Sequence, residues 1–596
     1  MKTLLGVGTE SFAKLRESGC YYVDKTAFMK PLLASGGDVT LIARPRRFGK
    51  SLFINTIQEF LKVDPEHPGD ASRQERLFSG LQVLEDRAFC ERLMGRTPVL
   101  SLSFKEAQGE SFDAACDSLA QVLAEVANDH AFLAESPRLS ANDREIFRQY
   151  CSTAFMRRAE NRGLAAFFIR NMIKFLARHF GRPAVLLIDE YDVPLAKAAF
   201  RGYYDRMVEF MRTLLSPLKT GGGATVNGAP VLGKAILTGC LRVSKESLFT
   251  GVNNLDVNTV CSGDDELAPA IGFTPGEVEA LLSYYGLESR REDVRRWYDG
   301  YRVASQELYC PWDVISFAKN ALKSASPLAY APRNFWTGTG GTDAIDAFLK
   351  FLSRKEADQM QALLDGGEIT FPLNEQLTYG DFDRHQPEDF WTLLLFTGYL
   401  TLASPLQDEE ACRVRIPNEE VRRTFRERIE KQFSPRNQGF ALLCRRFALA
   451  AESGDAAAMR AEMLKALIRY VSVRDAATRA RAENYYHGFL LALLAGAGDA
   501  VDGLRSNAEA GDGFADLMFT SADQDTGVVI EIKHCAPGGM TKAAQEALQQ
   551  IEDKQYVQGL SDFGCTRCFG YGIAFSRKNC VIRGKELSGR GLPQEP

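Results

Sequence analysis

The stretch Val39–Ser51, VTLIARPRRFGKS, decides the fold class. Its first five residues, Val39–Ala43, predict a buried strand, and KSLFINTIQEFLK from Lys50 onward has the apolar spacing of a helix. A strand that turns through glycine into a helix is the geometry of a phosphate-binding loop. Backbone N–H groups at the helix start converge on an oxyanion while a lysine reaches the outer phosphates. On this reading Gly49 permits close approach of the backbone, Lys50 supplies charge, and Ser51 supplies a hydroxyl for Mg²⁺. The front of the loop departs from the usual pattern, because Arg44 stands where a first glycine would ease the turn. Pro45 has no N–H to offer. Arg46 and Arg47, ahead of Phe48, are expected to replace backbone donors with side-chain charge, directed at a nucleotide phosphate or at an acidic partner. Taken alone, the motif also fits a basic strand–helix loop without a ligand.

The stretch AVLLIDEYD supplies the other half of the site. An apolar strand ends there in Asp189 and Glu190. An acid at a strand's carboxyl end can hold Mg²⁺ directly or through water, and the adjacent Glu190 can activate an attacking water. A further strand, AILTGC, ends near Thr238, placed to sense the γ-phosphate; Arg242 and Lys245 follow as candidate phosphate contacts. Short apolar strands alternating with helical stretches over the first ~260 residues predict a parallel sheet covered by helices. From Thr274, TPGEVEALLSYYG carries a helix-start signature and ends at glycine. Helical periodicity then prevails to about residue 480, broken by strand-like YLTLAS and CRVRIP.

Six segments in order, YYVDKTAFMKPLL, LIARPRRFGKSLF, VLLIDEYDVPL, GYYDRMVEFMR, ILTGCLRVSKESLFTGVNNL and WYDGYRV…YCPWDV, resemble the bacterial AAA-ATPase-like family across residues 5–320. That family writes its loop R-P-R-R-F-G-K-[ST], so the resemblance implies that Arg44 is a family feature and that the chain binds ATP.

The C-terminal chemistry lies in GFADLMFTSADQDTGVVIEIK. Two strands flank a polar turn, and alternation puts Glu531 and Lys533 on one face. A hairpin folded about residues 523–524 sets Asp516 opposite Glu531. Like charges there repel unless a cation such as Mg²⁺ joins them, and Lys533 beside the metal can stabilise charge building on a phosphate. Asp followed by Glu-x-Lys across a hairpin is the signature of the PD-(D/E)XK nuclease fold. The stretch from AENYYHGFLLALL to YGIAFSRKNCVI is similar to that superfamily over residues 440–596. The similarity implies a further metal-site glutamate at Glu483, with Gln550, Lys554 and Tyr556 downstream. Where relatives often carry arginine, two residues before the strand aspartate, this chain has Phe514. His487, one helical turn from Glu483, reads as structural rather than as a ligand.

The 596 residues predict several domains, and 45% hydrophobic with 25% charged residues fits a globular protein. The net charge of −5 requires any nucleic-acid contact to come from a local basic patch. MKTLLGVGTESF lacks the apolar core of a secretory signal, and no apolar run reaches the ~20 residues of a membrane span. Thirteen scattered cysteines fit a reduced, cytoplasmic chain, and Cys565 and Cys568 of CTRC read as buried structural residues rather than a zinc site. The expected architecture is an α/β P-loop domain over 1–262, a mainly helical middle or lid region over 263–435, and an α/β PD-(D/E)XK-type domain over 436–596. The expected function is ATP-gated, Mg²⁺-dependent cleavage of nucleic acid, DNA before RNA, in defence or mobile-element biology, with homo-oligomerisation open. The rival is an ATP-dependent switch whose C-terminal domain binds nucleic acid or a protein without cutting.

Overall fold

The computed structural model describes residues 3–34, 38–220, 224–241, 248–249, 252, 254–262, 264–336, 354–384, 386–406, 412–433, 438–470, 482–510, 513–557, 560 and 565–587. The chain divides into two compact units, Met1–Arg426 and Glu427–Pro596. The middle region expected over 263–435 therefore shares one unit with the N-terminal sheet as far as Arg426.

That sheet has five strands: β1 (Val39–Ala43), β2 (Val99–Ser103), β3 (Ala184–Asp189), β4 (Leu232–Gly239) and β5 (Leu255–Asn258). Their order is β2-β3-β4-β1-β5, and every pair is parallel. β1 and β3 are buried along their whole length. This is why they read as unbroken apolar runs: crossover helices cover both faces of a parallel sheet. β4 lies between β1 and β3, and the registers Ala43↔Gly239 and Ile188↔Leu237 bring the carboxyl ends of all three strands together. Ligands of open parallel sheets bind at that edge. β5 escaped the sequence reading because Leu255–Asn258 is a short edge strand of alternating polar residues.

The helix Pro275–Tyr285 begins as its sequence predicts. The Thr274 hydroxyl accepts the Glu277 N–H, the Glu277 carboxylate accepts the Thr274 N–H, and Gly286 closes the helix at φ +71°. A small antiparallel sheet joins Ile369–Phe371, Cys412–Arg415 and Thr401–Leu402.

In the second unit, helices Gln438–Glu452, Ala456–Tyr470 and Ala482–Ala495 precede a five-stranded sheet. Its strands, β6 (Val501–Ala510), β7 (Gly513–Ser521), β8 (Thr526–His534), β9 (Arg567–Ser576) and β10 (Asn579–Glu586), lie in sequence order. Only β8 and β9 are parallel, joined across the helix Met540–Asp553. Leu517, Phe519, Ile530 and Tyr571 pack on Phe447 and Leu490 of the preceding helices, while Met518 and Val529 pack on Leu548 and Ile551 of the crossover helix. Cys565 and Cys568 are buried in that second cluster. Among the described residues no helix is long and apolar enough to cross a membrane.

Candidate functional site

The carboxyl edge of the parallel sheet opens into a cleft of about 650 Å³, whose lining includes Gly49, Lys50, Ser51, Lys105 and Glu190. Gly49 caps the helix Lys50–Leu61 at φ +94°, a left-handed conformation that favours glycine. The Ser51 hydroxyl donates to Asp189 Oδ2 at 2.6 Å, and the Thr238 hydroxyl donates to Oδ1 at 2.5 Å. The strand acid is thus held from β4 and from the loop helix at once, and Thr238 positions Asp189. Lys50 is buried, with Nζ donating to the carbonyl oxygens of Arg44 and Pro45, both at 2.9 Å. Burial raises the Glu190 carboxyl above its ordinary range, Lys50 opposes this, and Asp192 and Asp189 add to it. Glu190 is therefore a better proton acceptor than a surface glutamate. A serine hydroxyl touching a carboxylate offers the hard oxygen donors that suit Mg²⁺.

The front of the loop faces other parts of the same unit. Arg44 is fully buried, and its Nη1 donates to the carbonyls of Ala43 and Asn258. Asn258 in turn donates to Asp264 at 2.7 Å. Burial pushes the Arg44 guanidinium down to about 10, and Asp264 opposes the shift. Arg44 is thus a tie between β1 and β5. A Cβ on Gly398 would lie 2.7 Å from Pro45 Cβ, so the two residues are in direct contact. Burial works against the Arg46 charge, but Cys240, Tyr379, Glu190 and Asp192 outweigh it and raise its pKa. Arg47 has φ +67°, stacks over the Trp312 ring at 4.1 Å and donates to the Phe335 carbonyl at 2.5 Å. Phe48 meets Tyr301 edge-on at 4.9 Å, and its carbonyl accepts the Gly272 N–H.

Of the two arginines expected to bear on phosphate or partner, Arg46 faces the acids of the cleft and Arg47 is engaged by residues 312 and 335. Arg47→Ala is accordingly expected to leave nucleotide Kd within about threefold. It should lower stability by about 1–3 kcal/mol through loss of the stacking and the hydrogen bond. Calorimetric titration and thermal unfolding check both, and a tenfold loss of affinity would return Arg47 to the phosphates.

In the second unit the β7–β8 ladder runs from Thr520↔Gly527 to Leu517↔Ile530 and stops one step short of Asp516 and Glu531. The Asp516 carboxylate takes up the next position, accepting the Ile532 N–H at 2.7 Å. Glu531 Oε1 accepts from the Gln550 amide and lies 3.6 Å from Lys533 Nζ. Glu531 Oε2 is buried without a hydrogen-bond partner among the described residues. Burial, then Asp516, raise the Glu531 carboxyl to about 7 against the pull of Lys533; burial likewise raises Asp516. A buried acid with one oxygen unsatisfied, next to a half-buried one, fits an oxygen-coordinated divalent cation. Among the described residues no group of three or more His, Cys, Asp and Glu is arranged to hold a metal. Glu483 falls in the first turn of the helix Ala482–Ala495, and its side chain lies outside the described residues.

Ser51, Asp189, Glu190 and Thr238 thus come together at one edge, as do Asp516, Glu531, Lys533 and Gln550 at another. Gln550 is also 3.4 Å from the Tyr556 hydroxyl. Arg242 and Lys245 lie outside the described residues. His487 Nε2 bonds the Asp516 carbonyl at 2.9 Å, a support for the strand that leaves this nitrogen no role as a ligand. Two residues escaped the sequence reading. Asp192 accepts the N–H groups of Cys240 and Leu241, both at 3.0 Å, and the Tyr379 hydroxyl at 2.9 Å; the only signal was a third acid in DEYD. Lys105, just past β2, lines the cleft and bonds Glu10 at 2.6 Å; its signal was a cation after a strand end.

Residues 6–249 match the family described as "Predicted AAA-ATPase", and residues 481–585 match the PD-(D/E)XK nuclease superfamily. The chain is 30% identical over 437 residues to "Uncharacterized protein in vnfD 5'region" of Azotobacter chroococcum mcd 1. That alignment covers 72% of this chain and 70% of the relative. No solved structure matches the chain.

Proposed function

For a chain that belongs to the predicted AAA-ATPase family and carries a PD-(D/E)XK nuclease superfamily domain, we propose ATP-gated, Mg²⁺-dependent cleavage of nucleic acid. The observation that carries the reading is the buried, unpartnered Glu531 Oε2 beside a second, half-buried acid, Asp516. A divalent cation held by Asp516 and Glu531 would polarise a phosphoryl oxygen and lower the pKa of a bound water. Lys533 then offsets charge on the attacked phosphate, and Gln550 fixes the orientation of Glu531. In the first unit, Gly49–Ser51 and Asp189 would hold the nucleotide and its Mg²⁺, and Glu190 would take a proton from the attacking water.

A chain of contacts supports gating. Arg47 of the loop bonds the Phe335 carbonyl, and the N–H groups of Phe335 and Trp336 both bond Glu420. Glu420 sits in the first turn of the helix Glu419–Phe433, in which the first unit ends. In this reading a change in loop shape on nucleotide binding would reach the end of the first unit along these contacts. DNA before RNA as substrate, and a setting in defence or mobile-element biology, belong to the same proposal.

The test is a cleavage assay on single- and double-stranded DNA and RNA with Mg²⁺ or Mn²⁺, with and without ATP. Wild type is expected to cut in an ATP-dependent way and Lys50→Ala to cut without regard to ATP. Binding of these substrates without cleavage under every condition would favour the second reading, a nucleotide-dependent switch that holds nucleic acid without cutting. Phe514, standing where relatives often carry arginine, is the residue that favours that alternative.

A further inference from the structure

Glu190, the proposed proton acceptor of the cleft, stands at φ +53°, in the left-handed region that side chains rarely occupy. Such a backbone persists only where its surroundings over-determine it. The turn that carries Glu190 is pinned on both sides. Before it, Asp189 takes the hydroxyls of Ser51 and Thr238. After it, the Tyr191 N–H donates to the Thr238 carbonyl at 3.0 Å, and the Tyr191 hydroxyl to the Leu241 carbonyl at 2.7 Å. Asp192, only 2% exposed, then gathers three donors on Oδ2: the N–H groups of Cys240 and Leu241 and the Tyr379 hydroxyl. The turn and the end of β4 are in close contact. A Cβ on Gly239 would lie 2.6 Å from Tyr191 Cε1 and 2.8 Å from Asp192 Oδ1.

β4 ends at Gly239, so the next two N–H groups need a partner off the sheet, and a carboxylate satisfies both. That need does not account for Tyr379, which comes from 187 residues downstream. It opens the short helix Tyr379–Arg384, where the Thr378 N–H and hydroxyl both donate to Asp381 Oδ2, at 2.9 and 2.7 Å. Burial, then Asp192, raise the Tyr379 hydroxyl, so it keeps its proton and donates. We propose that Asp192 and Tyr379 are positioning residues for nucleotide hydrolysis: together they lock the turn after β3 to the exit of β4 and hold Glu190 in its left-handed conformation, facing the attacking water. The inference rests on the reading of Glu190 as proton acceptor. It adds that turnover depends on a residue far beyond the segment 6–249 that matches the ATPase family. An acceptor displaced by about 1 Å loses on the order of 10²-fold in rate.

The test uses the full chain, with single-turnover ATP hydrolysis in Mg²⁺ measured beside equilibrium ATP binding and thermal unfolding. Tyr379→Phe removes one hydroxyl and keeps the ring. It is expected to slow hydrolysis about tenfold and to leave ATP affinity within about twofold. Asp192→Ala should slow hydrolysis about 10²-fold. Asp192→Asn, whose amide oxygen can still accept both N–H groups, should recover most of that loss. Tyr379→Phe decides the question if Asp192→Ala fails to fold. Because the pair acts through Glu190, adding Tyr379→Phe to Glu190→Gln should slow hydrolysis no further. Additive losses in that double variant, or equal losses in rate and affinity, overturn the inference and leave the pair a structural tie. Full rates in Tyr379→Phe and Asp192→Ala beside a slow Glu190→Gln also overturn it, with the proton-acceptor reading intact. A Glu190→Gln chain as fast as wild type removes the acceptor itself, and the inference falls with it.

Discussion

Asp516→Asn is expected to reduce metal-dependent cleavage about 10³-fold while leaving the fold in place. The change is nearly isosteric, and the asparagine oxygen can still accept the Ile532 N–H that Asp516 accepts at 2.7 Å. What it removes is one of two negative charges. The pH dependence follows from the same pair. Glu531, raised to about 7, is favoured in its protonated form in the fold. Its contribution to stability is therefore present at low pH and is lost as pH rises through about 7. A cation prefers the ionised acids, so added Mn²⁺ should raise the melting temperature more at pH 8 than at pH 6. Cleavage should climb across the same interval. Asp516→Asn should abolish the Mn²⁺-dependent rise, and an unchanged rise would place the cation elsewhere.

Glu190→Gln should slow nucleotide turnover by about 10²–10⁴-fold with affinity retained within a few-fold. Glutamine keeps the size and polarity of the side chain but cannot take a proton. Glu190 is raised by burial, then held back by Lys50, so wild-type turnover should increase with pH as this carboxyl ionises. The slowed variant should flatten that rise. Single-turnover hydrolysis measured beside equilibrium binding separates the two effects. Equal losses in both would mean that Glu190 positions the nucleotide and activates no water.

The parallel sheet was legible because both its faces are covered, which leaves runs such as AVLLID with no polar break. Glu531 and Lys533 were legible because a strand alternates, and the pairing about residues 523–524 continues the observed Leu517↔Ile530 register. β6 was not. VDGLRSNAEA has Gly503 and Asn507 at φ +56° and +50° and a register shift between Asp502 and Arg505, so its pattern carries no strand period. Short edge strands such as β5 fail in the same way, having little apolar surface to bury. The surroundings of the loop were hidden for another reason. Trp312, Phe335 and Gly398 lie hundreds of residues from Arg47 and Pro45, and no local spacing encodes such contacts.

Those contacts bear on modularity. The family match in the N-terminal half ends at residue 249, yet Trp312, Phe335, Gly398 and Tyr301 all lie beyond it. A fragment cut at that boundary would carry the phosphate loop with its front half stripped, leaving Pro45, Arg47 and Phe48 facing solvent. The compact unit that holds the loop together with these contacts reaches to Arg426. R-P-R-R-F is then a joint as well as part of the cleft wall, and it should travel between genes together with the downstream segment that clasps it.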